Sequence, residues 1–257
     1  MTLPIATFDA PAPIDVQAKE LRWWITDGIL NQPRSLQARI GPSELGEPCD
    51  HCLAAKLAGW EKNATAAWLP FIGTGVHAEL AAIFEGANHK CGWRRYEVEQ
   101  RVTVGIVRNE EITGSCDLFD RATGTVIDWK IVGKNTLDQV RRNGPSPTYR
   151  TQAHLYGQGW VNAGHTVTAV MICFLPRNSP TLEQGIFWGE DHDPAIAAAA
   201  LERANHIATQ LDTLATISTS ARDQWITNQP RVEGCYSCAR YPDRPTPDAA
   251  TYFAASA

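Results

Sequence analysis

The 257 residues, 44% hydrophobic and 20% charged, suffice for one large core or two small ones and exclude a disordered chain. A formal net charge of -5 is the wrong sign for a protein that coats nucleic acid without specificity, so any grip on a polyanion needs a local basic patch. The N-terminal MTLPIATFDAPAPID lacks the basic start and apolar run of a signal peptide, and no stretch approaches the ~18 apolar residues of a membrane span. A cytoplasmic protein with no membrane partner is expected.

Residues 1–13 are Pro- and Ala-rich without periodicity and read as a flexible N-terminal arm, with a single domain over 14–257. Leu21, Trp24, Ile25 and Gly28 then fall at helical spacing within 14–29. A Gly-Pro-Ser-Glu turn at 41–44 precedes the first CxxC, and Gly73 and Gly75 precede a helix whose apolar stripe is Val76, Leu80, Ile83 and Phe84. His77 lies at the edge of that stripe. From Tyr96 the period becomes two, with Val98, Val102, Val104 and Ile106 on one parity and Glu97, Glu99, Arg101 and Thr103 on the other. Two further strands are predicted over 111–119 and 125–132, joined by a tight connection at Asp120-Arg-Ala-Thr-Gly124.

A helix over 148–162 closed by Gly164, a buried strand over 166–175, a short strand over 185–189 and a long Ala-rich helix opened by Asp193-Pro194 complete the pattern. The order predicts an α/β domain built on one mixed central sheet flanked by helices.

Asp128 and Lys130, two residues apart on one predicted strand, project from the same face, where burying them is costly. A hairpin would bring Asp117 of the preceding strand close to Asp128, and two such carboxylates repel unless a cation sits between them. Paired carboxylates beside a lysine suit a hard divalent ion and a phosphodiester: the ion polarises the phosphoryl group, and the lysine orients water or offsets charge. Gly114 leaves room for close approach, and Gln152 and Tyr156 share a helix face. Taken singly, each of these residues reads more simply as a solvated or packing side chain. Asp120 and Glu79, close to the motifs, are expected to be surface charges.

Cys49-Asp-His-Cys52 and Cys235-Tyr-Ser-Cys238 can each chelate one centre from a tight turn, and a shared centre would staple the N-terminal part of the domain to its C-terminal end. Spacing alone leaves zinc and iron–sulfur open. Cys116 and Cys173 fall in strands and are expected in the core.

The set Gly75-Val-His77, Gly114-Ser-Cys-Asp117, Ile127-Asp-Trp-Lys130 and Gln152-Ala-His-Leu-Tyr156, in that order, resembles the RecB-like branch of the PD-(D/E)XK nuclease superfamily, with a restriction-endonuclease-like fold. The resemblance spans about residues 43–238. It implies that His77, Asp117, Asp128 and the backbone carbonyl of Trp129 hold Mg2+ or Mn2+, that Lys130 serves the attacking water, and that Gln152 and Tyr156 brace the site and the DNA strand. Glu99 is a further acidic candidate. Relatives among the CRISPR-associated Cas exonucleases carry a four-iron cluster, which implies a 4Fe-4S centre on Cys49, Cys52, Cys235 and Cys238, with Zn2+ as the alternative. Those relatives place one cysteine before the nuclease core and three after it, where this chain has two and two.

Lys134, Arg141, Arg142 and Arg150, following Lys130 with one acid among them, suggest a basic, mobile segment for gripping phosphates. The expected activity is exonucleolytic hydrolysis of single-stranded DNA ends in recombination, repair, phage replication or CRISPR adaptation, with a homo-oligomer or a recombination or CRISPR protein as possible partner. The competing expectation is a non-catalytic DNA-binding or assembly module stapled by its metal centre.

Overall fold

The computed structural model describes residues 14–31, 40–63, 67–235 and 237–243, so the expected arm over 1–13 lies outside the described residues. Five strands form one sheet in the order β1-β2-β3-β4-β5: Tyr96–Val107, Glu110–Asp120, Thr125–Val132, Ala169–Pro176 and Ile186–Asp191. β1, β2 and β3 form an antiparallel meander, β4 runs parallel to β3, and β5 returns antiparallel to β4. The parallel step needs a crossover, and it is made by two helices, α5 (Lys134–Asn143) and α6 (Pro147–Asn162). The remaining helices are α1 (Ile14–Leu30), α2 (Pro42–Leu45), α3 (Asp50–Leu57), α4 (Trp68–Cys91), α7 (Pro194–Ile217) and α8 (Thr219–Thr227). The mixed sheet flanked by helices is the architecture expected from the sequence.

The sheet is covered on both faces. On one, Val126, Val170, Ile172 and Phe174 pack with Leu53 of α3, Leu155 of α6, Leu211 of α7 and Ile226 of α8. On the other, Val98, Leu118, Trp129, Cys173 and Leu175 meet Leu80, Ala81 and Phe84 of α4. Cys116 and Cys173 are core residues, as expected. Local rules set several element ends: Asp193 caps α7 by accepting from the Ala195 N–H, with Pro194 at the first helical position, and the Ser146 hydroxyl accepts from Tyr149 N–H at the start of α6.

Four expectations need correction. Gly73 and Gly75 lie inside α4, which begins at Trp68. The single-parity reading of β1 fails at a register shift between Thr103 and Gly105, after which Ile106 is 56% exposed and Val107 takes the inward position. The supposedly mobile segment after Lys130 is largely helical, because Leu137 and Val140, three residues apart, are buried and seat α5 on the sheet. Asp120 is not a surface charge: it is 5% exposed, and Arg95 Nη2 donates to its Oδ2 at 2.7 Å.

Candidate active site and four-cysteine centre

The site lies where β2 and β3 part. Their backbone pairing runs from Asp120↔Thr125 to Leu118↔Ile127. The next N–H, that of Trp129, donates instead to Asp117 Oδ2 at 2.8 Å, so a carboxylate fills the gap in the ladder. Phe84 of α4 stacks on Trp129 with ring centroids 5.5 Å apart, which fixes the helix against β3 and sets His77 beside Asp117. His77 Nδ1 lies 3.2 Å from Asp117 Oδ1 and 3.9 Å from Glu99 Oε1. Burial works against a charged imidazole, yet the hydrogen bond and charge of Asp117 outweigh it and raise the His77 pKa.

Asp128 is 3% exposed and sits 2.6 Å from Lys130 Nζ through Oδ2. Burial pushes its carboxyl up to about 6; the Lys130 charge opposes this and the nearby Asp117 charge adds to it. Despite the ion pair, Oδ2 has no aligned hydrogen-bond donor among the described residues. Lys130 Nζ donates to Gln152 Oε1 at 3.0 Å and lies 4.9 Å from the centre of the Tyr149 ring. Tyr156 is buried on the same helix face, its ring against Gly114, where an added Cβ would meet Pro42 Cγ at 2.7 Å and Tyr156 Cε1 at 3.0 Å. Gln152 and Tyr156 therefore brace the lysine and the strand from within the protein. Burial raises the Tyr156 hydroxyl pKa and keeps it neutral.

Of the sequence candidates, His77, Asp117, Asp128, Lys130, Gln152, Tyr156 and Trp129 come together, with Glu99 beside them. The basic set does not join them as free cations. Lys134 and Arg141 both pair with Asp138, and Arg141 also donates to the Gln184 carbonyl. Arg150 is held on Glu190 through two nitrogens, while Arg142 is exposed.

The donor chemistry fits a divalent cation: His77, Glu99 and Asp117 bring a ring nitrogen and two carboxylates within 4.8 Å of one another, with the buried Asp128 close by. The four cysteines form a second centre. Cys49 and Cys52 at the start of α3 meet Cys235 and Cys238, with Sγ–Sγ separations of 3.4 Å (Cys49–Cys238), 3.5 Å (Cys52–Cys238) and 3.7 Å (Cys52–Cys235). All four thiols are free and mutually within 4.8 Å, too far apart for disulfides and close enough to share a metal. Sequence reasoning passed over His51, whose Nδ1 lies 4.0 Å from Cys52 Sγ and 3.9 Å from Cys238 Sγ. Its place inside the first CxxC was the available signal.

No protein-family model matches the sequence, and no curated protein matches it. Among solved structures the chain is similar to an alkaline exonuclease from Laribacter hongkongensis (13% identity, TM-score 0.49, covering 74% of this chain and 93% of that one). The same exonuclease in complex with dAMP aligns at 14% identity and TM-score 0.47, over 75% of this chain and 93% of that one. A phage-related exonuclease from Haemophilus somnus aligns at 15% identity and TM-score 0.38, over 54% and 70%.

Proposed function

We propose that this chain is a metal-dependent nuclease of the PD-(D/E)XK type that hydrolyses DNA phosphodiester bonds from single-stranded ends. The observation that carries this reading is the buried Asp128–Lys130 pair beside Asp117 and His77, because such a costly charge arrangement has a reason to persist where a cation and a phosphate meet. His77, Asp117, Asp128 and the Trp129 carbonyl would hold Mg2+ or Mn2+, which when bound polarises a phosphoryl oxygen and lowers the pKa of water. Lys130, kept in place by Gln152, presents its ammonium to the attacking water or the phosphate. Asp117 would hold the cation while its Oδ2 accepts from the Trp129 N–H, so its geometry is set by the strand it helps to separate.

For the four-cysteine centre, a tetrahedron of thiolates around one ion at about 2.3 Å has edges of about 3.8 Å. Three of the six sulfur separations, 3.4 to 3.7 Å, approach that edge, and all six are within 4.8 Å. In a four-iron cluster each thiolate binds its own iron and the sulfurs stand farther apart. The geometry supports Zn2+ over the iron–sulfur cluster that the family resemblance implies.

The test is degradation of end-labelled linear single-stranded DNA with Mn2+ or Mg2+, beside a circular substrate and the Asp128→Ala variant. Loss of the linear strand alone, abolished in the variant, is expected. A well-folded, metal-replete protein that cleaves no DNA overturns the enzyme reading in favour of a binding module.

A further inference from the structure

We infer that Glu99 is a ligand of the active-site cation, sharing it with His77 and Asp117. The inference rests on the proposed metal site but adds to it a residue outside the strand-borne Asp-x-Lys motif. In a regular β1 strand, alternation would leave Glu99 on the solvent parity with Glu97 and Arg101. Its backbone instead takes the left-handed conformation, with φ of 49°, which non-glycine residues rarely adopt in a strand. The chain changes faces at this point: Val98 packs toward α4, while Val102 packs on the opposite face of the sheet. The same switch occurs in β2 between Cys116 and Leu118, on either side of Asp117. The two irregularities lie side by side and turn both carboxylates toward His77.

The donor atoms of His77, Glu99 and Asp117 all lie within 4.8 Å of one another. The separations from His77 Nδ1, 3.2 Å to Asp117 Oδ1 and 3.9 Å to Glu99 Oε1, fall within the span of ligand separations around an octahedral ion, about 3 Å between neighbours and about 4.2 Å between opposite ligands at bond lengths of about 2.1 Å. The other Glu99 oxygen accepts from Ser115 Oγ at 2.9 Å, which fixes the carboxylate plane. Next to this trio, the nine-tenths-buried Asp128 has its charge met by the Lys130 ammonium, 2.6 Å from Oδ2. Asp128 is drawn to Lys130 and is buried, whereas Glu99 is 39% exposed through its side chain. A simple ion pair between Glu99 and protonated His77 is the competing account, and it makes no demand on metal affinity.

The experiment titrates Mn2+ into the whole chain by calorimetry and by loss of the free-ion paramagnetic resonance signal, for wild type, Glu99→Gln, Glu99→Gly and Asp117→Asn. Glu99→Gln is expected to weaken Mn2+ binding ~10- to 100-fold, the loss typical when a metal-site partner is removed. Glu99→Gly is expected to do the same while raising the melting temperature by about 2–4 °C, since glycine accepts the left-handed backbone without strain. This second variant decides the matter if Glu99→Gln folds poorly. Wild-type affinity in both Glu99 variants, with Asp117→Asn unable to bind, overturns the role of Glu99 and leaves the metal site standing. No Mn2+ binding by wild type overturns the site itself, and the Glu99 assignment with it.

Discussion

Gln152 accepts a 3.0 Å hydrogen bond from Lys130, joining helix α6 to strand β3. Gln152 is 8% exposed, so under the proposed function it would aim the ammonium rather than touch substrate. Gln152→Ala is expected to lower kcat ~10- to 100-fold with KM nearly unchanged, while Lys130→Ala costs ~100- to 10,000-fold. Steady-state cleavage of labelled single-stranded DNA measures both; a Gln152→Ala variant altered in KM alone sinks the positioning role.

Asp128 gives a prediction that separates stability from activity. Its buried carboxylate is disfavoured by desolvation and by Asp117, with Lys130 as incomplete compensation. In EDTA at pH 7, Asp128→Asn should melt at or above the wild-type temperature, because the raised Asp128 pKa means that the folded state favours the neutral side chain even beside Lys130. On adding Mn2+ the wild type should gain several degrees and the variant almost none, through selective binding to the folded state. Cleavage should vanish in the variant. A strongly lowered melting temperature in EDTA would mean that the carboxylate is a structural partner of Lys130 instead.

The four-cysteine centre ties residues 49–52 to residues 235–238, closing nearly the whole domain. Cys235→Ser should lose one equivalent of metal per chain and lower the melting temperature by ~10 °C or more, since the metal's binding energy is also folding energy. Elemental analysis of the purified chain should return zinc. A brown protein with a broad band near roughly 400 nm and several irons per chain would refute the zinc assignment.

How much of this was legible in the sequence depended on the range of the interactions. The Asp193-Pro194 helix start, the 120–124 turn and the pairing of Asp128 with Lys130 on one strand face follow from local rules and appear where expected. The two CxxC pairs meet because their spacing had one economical use. Ile106 was misplaced because a register shift is set by the partner strand, not by β1 itself. Residues 134–143 hid their helix because only Leu137 and Val140 carry its apolar face, and their charges satisfy one another on the surface. The left-handed backbone at Glu99 leaves no trace in composition.

Asp120 was misread for the same reason: its partner Arg95 is 25 positions away. Burial tends to raise the Asp120 pKa, but the Arg95 guanidinium and the Ala122 N–H outweigh it and hold the carboxyl below its ordinary value. A depressed pKa means that the contribution to stability is complete above the unfolded value of about 3.9 and disappears as pH falls through the lower folded value. Asp120→Asn should therefore cost about 1–3 kcal/mol near pH 7, several degrees of melting temperature, and the gap from wild type should close below about pH 3. Because Asp120 points to Arg95 and not to His77, cleavage at saturating Mn2+ should be unchanged. Melting curves from pH 2.5 to 7 check the first part; a gap that stays constant across that range would show that the ion pair contributes nothing through its charge.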